Sequence, residues 1–236
     1  MELNFLWRGA GFNPVEGSTS AYFIDNGEMF LIDCGESVFG TIIKKNILEK
    51  ISALNVFITH THADHVGSLG TLLLYTKTVK KITANIIIDK NMSYFPSIQA
   101  LLRIYGLPDD MYGFKDSSVF DGSFSVFDKV RYIKTAHCNE LDSCGILFET
   151  DKGVVFYSGD MNDPAPLMAI INSGRKIDQM FIDSDCSRKP SLHHISIHLL
   201  NDIIPPEIRL KIRCMHINKN FNMEEARGYG FKVVDI

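Results

Sequence analysis

The stretch Thr59-His60-Thr61-His62-Ala63-Asp64-His65-Val66-Gly67 places three histidines and one aspartate within six residues. Imidazole and carboxylate are the ligand types that zinc and its neighbours prefer. A lone histidine is ordinarily a solvated or core side chain, but this density of ligand-type residues reads as a metal site. Asn55-Val56-Phe57-Ile58, just before it, has the length and β-branching of a buried strand, and the leucine-rich run from Leu69 reads as a helix. The cluster therefore occupies a tight strand-to-helix turn. His60 and His62, two apart in extended backbone, point the same way. Asp64 and His65 lie past the bend and can face a second ion.

The elements that must position this turn follow from the same patterning. Leu3 to Trp7 reads as a first strand, and Arg8 to Pro14 as a turn-rich loop whose glycines let backbone approach a ligand or simply connect a hairpin. Ser20 to Ile24 and Met29 to Ile32 are strands joined by Asp25-Asn26-Gly27-Glu28, a strong hairpin signal. Phe39, Ile42, Ile43 and Ile47 mark a helix, and Ile82 to Ile88 another buried strand. Met92 to Tyr105 carries Phe95, Ile98, Leu102 and Tyr105 at helical spacing, stopped by Gly106 and Pro108. The following Met111-Tyr112-Gly113-Phe114 reads as a loop that caps the cluster or forms a dimer surface. In the second half, Phe124 to Phe127, Val130 to Thr135, Ser143 to Glu149, Val154 to Tyr157, Gln179 to Ile182, Leu210 to Met215 and Phe231 to Val234 read as strands. Pro164 to Ile171, Ile197 to Ile203 and Glu224 to Arg227 read as helices. Strands first and alternation later in each half hint at a weak internal duplication.

His60, His137, Asp160 and His216 each stand just past the C-terminal end of one of these apolar strands. His137 or Asp160 alone would read as a surface or capping residue. In layered α/β folds, however, sites form where strand ends converge on one rim, so together the four extend the dense cluster into a ring of ligands. Composition agrees with a soluble globular chain: 45% of 236 residues are hydrophobic and 22% charged, enough to bury a core without staples. The five scattered cysteines form no C-x-x-C pair, which argues for reduced thiols in a cytoplasm. Met1-Glu2-Leu3-Asn4 lacks the basic region of a secretory signal, and no run has the length of a membrane span. A net charge of −4 makes a poor non-specific binder of long polyanions. A small phosphate can still bind where metal ions supply positive charge.

His60-x-His62-x-Asp64-His65, followed by His137, Asp160 and His216, resembles the metal-binding set of the metallo-β-lactamase-fold hydrolases, over nearly the whole chain from Asp33-Cys34-Gly35 to His216. The resemblance implies an α/β chain of four αββα layers, two mixed β-sheets between helices, as a single domain over residues 1–236. It implies that His60, His62 and His137 hold one divalent ion and Asp64, His65 and His216 a second. Asp160 bridges the two, and Asp33 buttresses the histidine loop. Zinc is the expected metal, with manganese or iron as alternatives. Glutamate at position 62 would indicate redox iron and cysteine at position 160 a true β-lactamase, and this chain has neither.

Asp185-Cys186-Ser187 leads to His193-His194-Ile195-Ser196, which resembles the His-x-Ser/Thr element of the phosphodiesterase branch of that fold. The branch includes the tRNA 3′-processing ribonuclease Z and cyclic-nucleotide phosphodiesterases. His194 matches the histidine that protonates the leaving oxygen, with Ser196 supporting it; His193 and His198 are left as surface or helix-start residues. The segment Pro205 to Arg209 looks like this branch too. The chain lacks the protruding Gly/Pro-rich arm that grips tRNA, so no stable nucleic-acid complex is expected. In length and overall pattern it is most similar to the anti-Pycsar proteins, with which phages degrade cyclic pyrimidine signals in the bacterial cytoplasm. That likeness implies hydrolysis of cyclic 3′,5′-mononucleotides, with Asp64 orienting the nucleophile and His194 as acid. It also implies Phe12 and Tyr112 against the base, and a homodimer using the aromatic-rich segment of about 90–115. The alternatives are a tRNA nuclease, a thioester or lactone hydrolase, which the His194-x-Ser196 element disfavours, and a non-catalytic metal-dependent binder, which the intact ligand set disfavours.

Overall fold

A computed structural model describes residues 1–89, 92, 95–188 and 192–236. The first half forms strands β1 (Asn4–Trp7), β2 (Ser20–Asp25), β3 (Glu28–Ile32), β4 (Ala53–Phe57), β5 (Thr83–Ile88) and β6 (Gly113–Asp116), with helices α1 (Val38–Lys44), α2 (Ala63–Val66), α3 (Leu69–Tyr75) and α4 (Phe95–Ile104). The second half forms β7 (Lys129–Thr135), β8 (Ser143–Thr150), β9 (Gly153–Tyr157), β10 (Ile177–Asp183), β11 (Ile212–Met215) and β12 (Lys232–Val233), with α5 (Ala165–Asn172), α6 (Ile197–Ile203), α7 (Pro206–Arg209) and α8 (Met223–Gly228). Among the described residues no helix is long and apolar enough to cross a membrane.

Each half makes one six-stranded sheet, in spatial order β1 to β6 and β12 to β7. In both, the first three strands pair antiparallel and the rest run parallel. The two sheets thus repeat one topology, which gives the hint of duplication a structural form. The β2–β3 hairpin closes as its sequence requires: Asn26 and Gly27 both sit at positive φ, 50° and 78°, the conformation that matches strand twist in a two-residue turn.

Alternation along the strands creates the layers. Val155, Tyr157 and Phe181 join Phe5, Phe23, Phe30 and Phe57 in the core between the sheets. Their neighbours Phe156, Met180 and Ile182 turn outward and pack with Leu167 and Ile170 of α5, Ile197 and Leu200 of α6, and Ala226 of α8. On the first sheet, Val38 and Ile42 of α1, Leu69, Leu72 and Leu73 of α3, and Ile98 and Leu102 of α4 are buried likewise. The result is two mixed sheets between helical layers. Phe30 anchors the centre, stacked 4.8 Å from Phe23 and edge-on to Phe124 and Phe127 at 4.7 and 5.8 Å. Truncating such a ring costs about 3–5 kcal/mol.

Three local expectations change. Residues 124–127 form no strand; Phe124 and Phe127 instead fill the aromatic core, so their apolar pattern reflects burial without pairing. Gly113 and Phe114, expected within a loop that caps the cluster or forms a dimer surface, begin edge strand β6 beside β5. The expected 92–105 helix is seen over Phe95–Ile104; its residues 93 and 94, and residues 90 and 91 of the expected cap, lie outside the described residues.

Candidate active site

β3, β4, β7, β9, β10 and β11 all deliver their C-terminal ends to one rim spanning both sheets. Asp33, Thr59 and His60, His137, Asp160, Asp183 and His216 follow or end these strands, while Asp64 and His65 come from the short α2. Asp33 and His216 adopt the left-handed region, φ 61° and 54°, uncommon for non-glycine residues.

The side chains converge in two groups that share Asp160. His60, His62, His137 and Asp160 present ligand-type atoms mutually within 4.8 Å, as do Asp64, His65, Asp160 and His216. Asp160 Oδ2 lies 3.8 Å from His60 Nε2 and 3.5 Å from His137 Nε2. Its Oδ1 lies 3.3 Å from His65 Nε2 and 3.4 Å from His216 Nε2. His60 Nε2 is 3.0 Å from His62 Nδ1, and His216 Nε2 is 3.1 Å from Asp64 Oδ2. Ligands at tetrahedral angles on a metal with bonds of about 2.0–2.1 Å stand roughly 3.3 Å apart, so these spacings fit. Among the described residues, buried Asp160 Oδ1 and His65 Nε2 have no hydrogen-bond partner, a cost that a cation between them would remove.

The nitrogens facing away are held. His65 Nδ1 donates to Asp33 Oδ2 at 2.8 Å, leaving Nε2 to face the centre. Asp33 also accepts from the Thr59 amide and hydroxyl, both at 2.8 Å, and the Thr59 oxygen lies 3.2 Å from His60 Nδ1. His137 Nδ1 donates to the His193 carbonyl at 2.8 Å. Burial and the neighbouring His65 push the His60 pKa well below the ordinary histidine value, keeping it neutral and ligand-ready. Burial works against charge on His65 and His216 too, yet Asp160 and the other carboxylates hold both above the histidine range, His216 at about 10. The pocket therefore favours positive charge, which a divalent cation supplies.

Beside the shared carboxylate sits a third group, Asp183, His194 and His216. Fully buried Asp183 accepts from His194 Nδ1 at 2.9 Å through Oδ2, and its Oδ1 lies 3.4 Å from His216 Nδ1. The His194 ring is half-buried, its centroid 5.1 Å from His216 and 5.5 Å from His137. Burial opposes its charge, but Asp183 outweighs burial and raises its pKa. Ser196 caps α6 and donates to the Ser187 carbonyl at 2.6 Å, closing the base of the loop that carries His194. His193 is exposed, and His198 lies in the first turn of α6 near the Tyr229 hydroxyl at 3.1 Å. Asp183 escaped the sequence reading, although it ends an apolar strand just as Met215-His216 does.

Phe12 is 99% exposed on a loop stitched to the backbone beyond His216. Ala10 N and Asn13 Nδ2 both donate to the Ile217 carbonyl, at 3.0 Å each. Gly11 lies against Asp64: a Cβ there would meet Oδ2 at 2.9 Å. Tyr112 is not brought to the site. It is 7% exposed, packs edge-on to Phe114 at 5.4 Å, and precedes β6 at the end of the sheet away from the rim.

The family model for anti-Pycsar protein Apyc1 matches residues 1–95 and 115–234. An anti-Pycsar protein Apyc1 of Bacillus phage 010DV004 is 26% identical over 243 residues, covering 93% of this chain and 90% of that protein. The metallo-β-lactamase fold protein YhfI from Bacillus subtilis superposes with a TM-score of 0.70 at 16% identity, over 98% of this chain and 93% of that one. Human tRNase Z, short form, superposes with a TM-score of 0.65 at 17% identity, over 100% and 96%. The two superpositions speak for a shared fold.

Proposed function

The chain belongs to the anti-Pycsar Apyc1 family of metallo-β-lactamase-fold hydrolases, and from that footing we propose that it is a dinuclear metal phosphodiesterase. It hydrolyses cyclic 3′,5′-mononucleotides to 5′-mononucleotides and so removes a cyclic-nucleotide defence signal in the host cytoplasm. The observation that carries this reading is Asp160, whose two oxygens each face a separate ligand set while the Asp183–His194 pair stands alongside.

His60, His62, His137 and Asp160 would hold one ion, and Asp64, His65, Asp160 and His216 the other, with zinc the expected metal. When bound, such ions would supply a water of lowered pKa and positive charge for the phosphoryl oxygens. The protein's own groups supply the proton traffic. Burial alone would raise the Asp64 pKa, but His65 and His216 hold it below the usual carboxylate range, so Asp64 is ionised and can orient the attacking water and take its proton. The 3′ oxygen is a poor leaving group until protonated. His194, held as imidazolium by Asp183, donates that proton as the P–O bond breaks. Exposed Phe12 offers a flat apolar face to the base, which favours tolerance among bases.

The test is a side-by-side rate measurement of the metal-loaded protein on cyclic UMP, CMP, AMP and GMP and on a precursor tRNA with a 3′ trailer. Turnover of the cyclic mononucleotides with the trailer untouched is expected. Rapid trailer removal with cyclic mononucleotides intact would replace this reading with a tRNA nuclease.

A further inference from the structure

Asn162 lies two residues past Asp160, half-buried, where three segments of the rim meet. Its backbone N–H donates to the Ala136 carbonyl at 2.8 Å. Its side-chain Nδ2 donates to the His137 carbonyl at 2.9 Å and to the Leu192 carbonyl. Two carbonyl acceptors fix which end of the amide faces them, because Oδ1 there would set oxygen against oxygen. One NH₂ group thus joins the segment carrying His137 to the segment carrying His194, and a primary amide is the side chain with two such donors on so short an arm. The His137 Nδ1 bond to the His193 carbonyl makes a second tie between the same segments.

We propose that Asn162 is a positioning residue: its amide docks the 192–194 loop onto the His137 segment and so fixes where His194 delivers its proton. This rests on the reading of His194 as general acid. Asp183 sets the charge and rotation of the imidazole from one side, and Asn162 sets the loop backbone from the other. Neither the 2.9 Å Asp183 bond nor the Ser196 cap reaches Leu192, so the carbonyls of residues 192 and 193 are tied by Asn162 and His137.

Asn162→Asp is the diagnostic change, since it keeps the shape and turns two donors into acceptors against two carbonyls; Asn162→Ala removes the donors without adding charge. With zinc-loaded protein, both variants should keep their metal. Each should lose about 10²-fold in kcat on a cyclic mononucleotide, as a displaced catalytic group does. On bis(4-nitrophenyl) phosphate, whose aryloxide departs without a proton, the loss should stay under about tenfold. In a His194→Ala background, Asn162→Asp should cost nothing further, because both act through one proton transfer. Equal losses on the two substrates, or additive losses in the double variant, would overturn the proposal. Amide hydrogen exchange gives a readout free of turnover: residues 192–197 should exchange faster in Asn162→Asp while the central strands do not, and unchanged exchange would also overturn it. A wild type active on the aryl diester and inert on every cyclic mononucleotide would defeat the substrate reading, and the exchange comparison would still decide the role of Asn162.

Discussion

Asp183 serves two imidazoles with one carboxylate, His194 through Oδ2 and His216 through Oδ1. Burial alone would lower the His194 pKa, but the ion pair raises it, so the imidazolium persists into more alkaline solution. An acid with a raised pKa remains competent below that value and loses its proton as pH rises through it. The alkaline limb of kcat should therefore report His194, and Asp183→Asn, which removes the charge, should move that limb to lower pH. A limb that stays in place would assign it to another group. Metal content separates the remaining roles. Wild-type protein should carry about two transition-metal ions per chain by elemental analysis, and Asp160→Ala should lower both occupancies because its two oxygens face both sets. His62→Ala should lose metal and turnover together, whereas His194→Ala should keep metal and lose roughly 10²–10⁴-fold in rate. An active, metal-free wild type would end the dinuclear reading.

The rim works only if α2 lies tight against the end of β3. Gly35 makes this approach possible: a Cβ there would stand 1.9 Å from the Asp64 carbonyl oxygen and 2.5 Å from Ser18 Cβ. The Cys34 amide already donates to the His65 carbonyl at 2.7 Å, so the two segments cannot part without loss. Gly35→Ala should destabilise the protein by about 1–3 kcal/mol in urea unfolding, and it should weaken metal at the Asp64–His65–His216 set before the other. Gly40, in the interior of α1, has open space where a Cβ would go. Gly40→Ala should instead stabilise by about 0.5–1 kcal/mol, since it removes only the flexibility of the unfolded chain. Opposite signs at two glycines five positions apart would separate close packing from helix propensity.

At the scale of the whole molecule, one outer face keeps apolar side chains in water. Ile104 and Tyr105 at the end of α4 are 80% and 47% exposed, and Leu74 and Val79 from the α3 side are 43% and 59% exposed. Tyr105 also lies over Gly70, so α3 and α4 present these residues on adjoining helices. The family match leaves out residues 96–114, which include most of α4. We propose that this face pairs two copies of the chain. Light scattering at micromolar concentration should give twice the monomer mass, and Ile104→Glu should reduce it to the monomer. A monomeric wild type would remove the pairing and leave the rim chemistry as it stands.

Much of this was legible in the linear chain because it is local. The spacing His60-x-His62-x-Asp64-His65 after an apolar strand depends only on backbone geometry over a few residues, and the placement of His137, Asp160 and His216 depends only on where apolar runs stop. The two-sheet layering was implied by the resemblance to the metallo-β-lactamase fold, since alternation marks a strand and its buried face without saying which sheet it joins. Tertiary structure decided what the period of a sequence does not encode: which distant groups face one another. Asp183 and His194 are eleven residues apart and meet because the Asp185 N–H donates to the Ile195 carbonyl, bringing the start of α6 back beside the end of β10. Asn162 gains its partners from segments 25 and 30 residues away. Tyr112 and Phe124 show the converse. Both carry the aromatic signal of a binding surface or a strand, yet burial against Phe114 and Phe30 accounts for that signal, since apolar surface leaves water wherever the long-range packing offers a place for it.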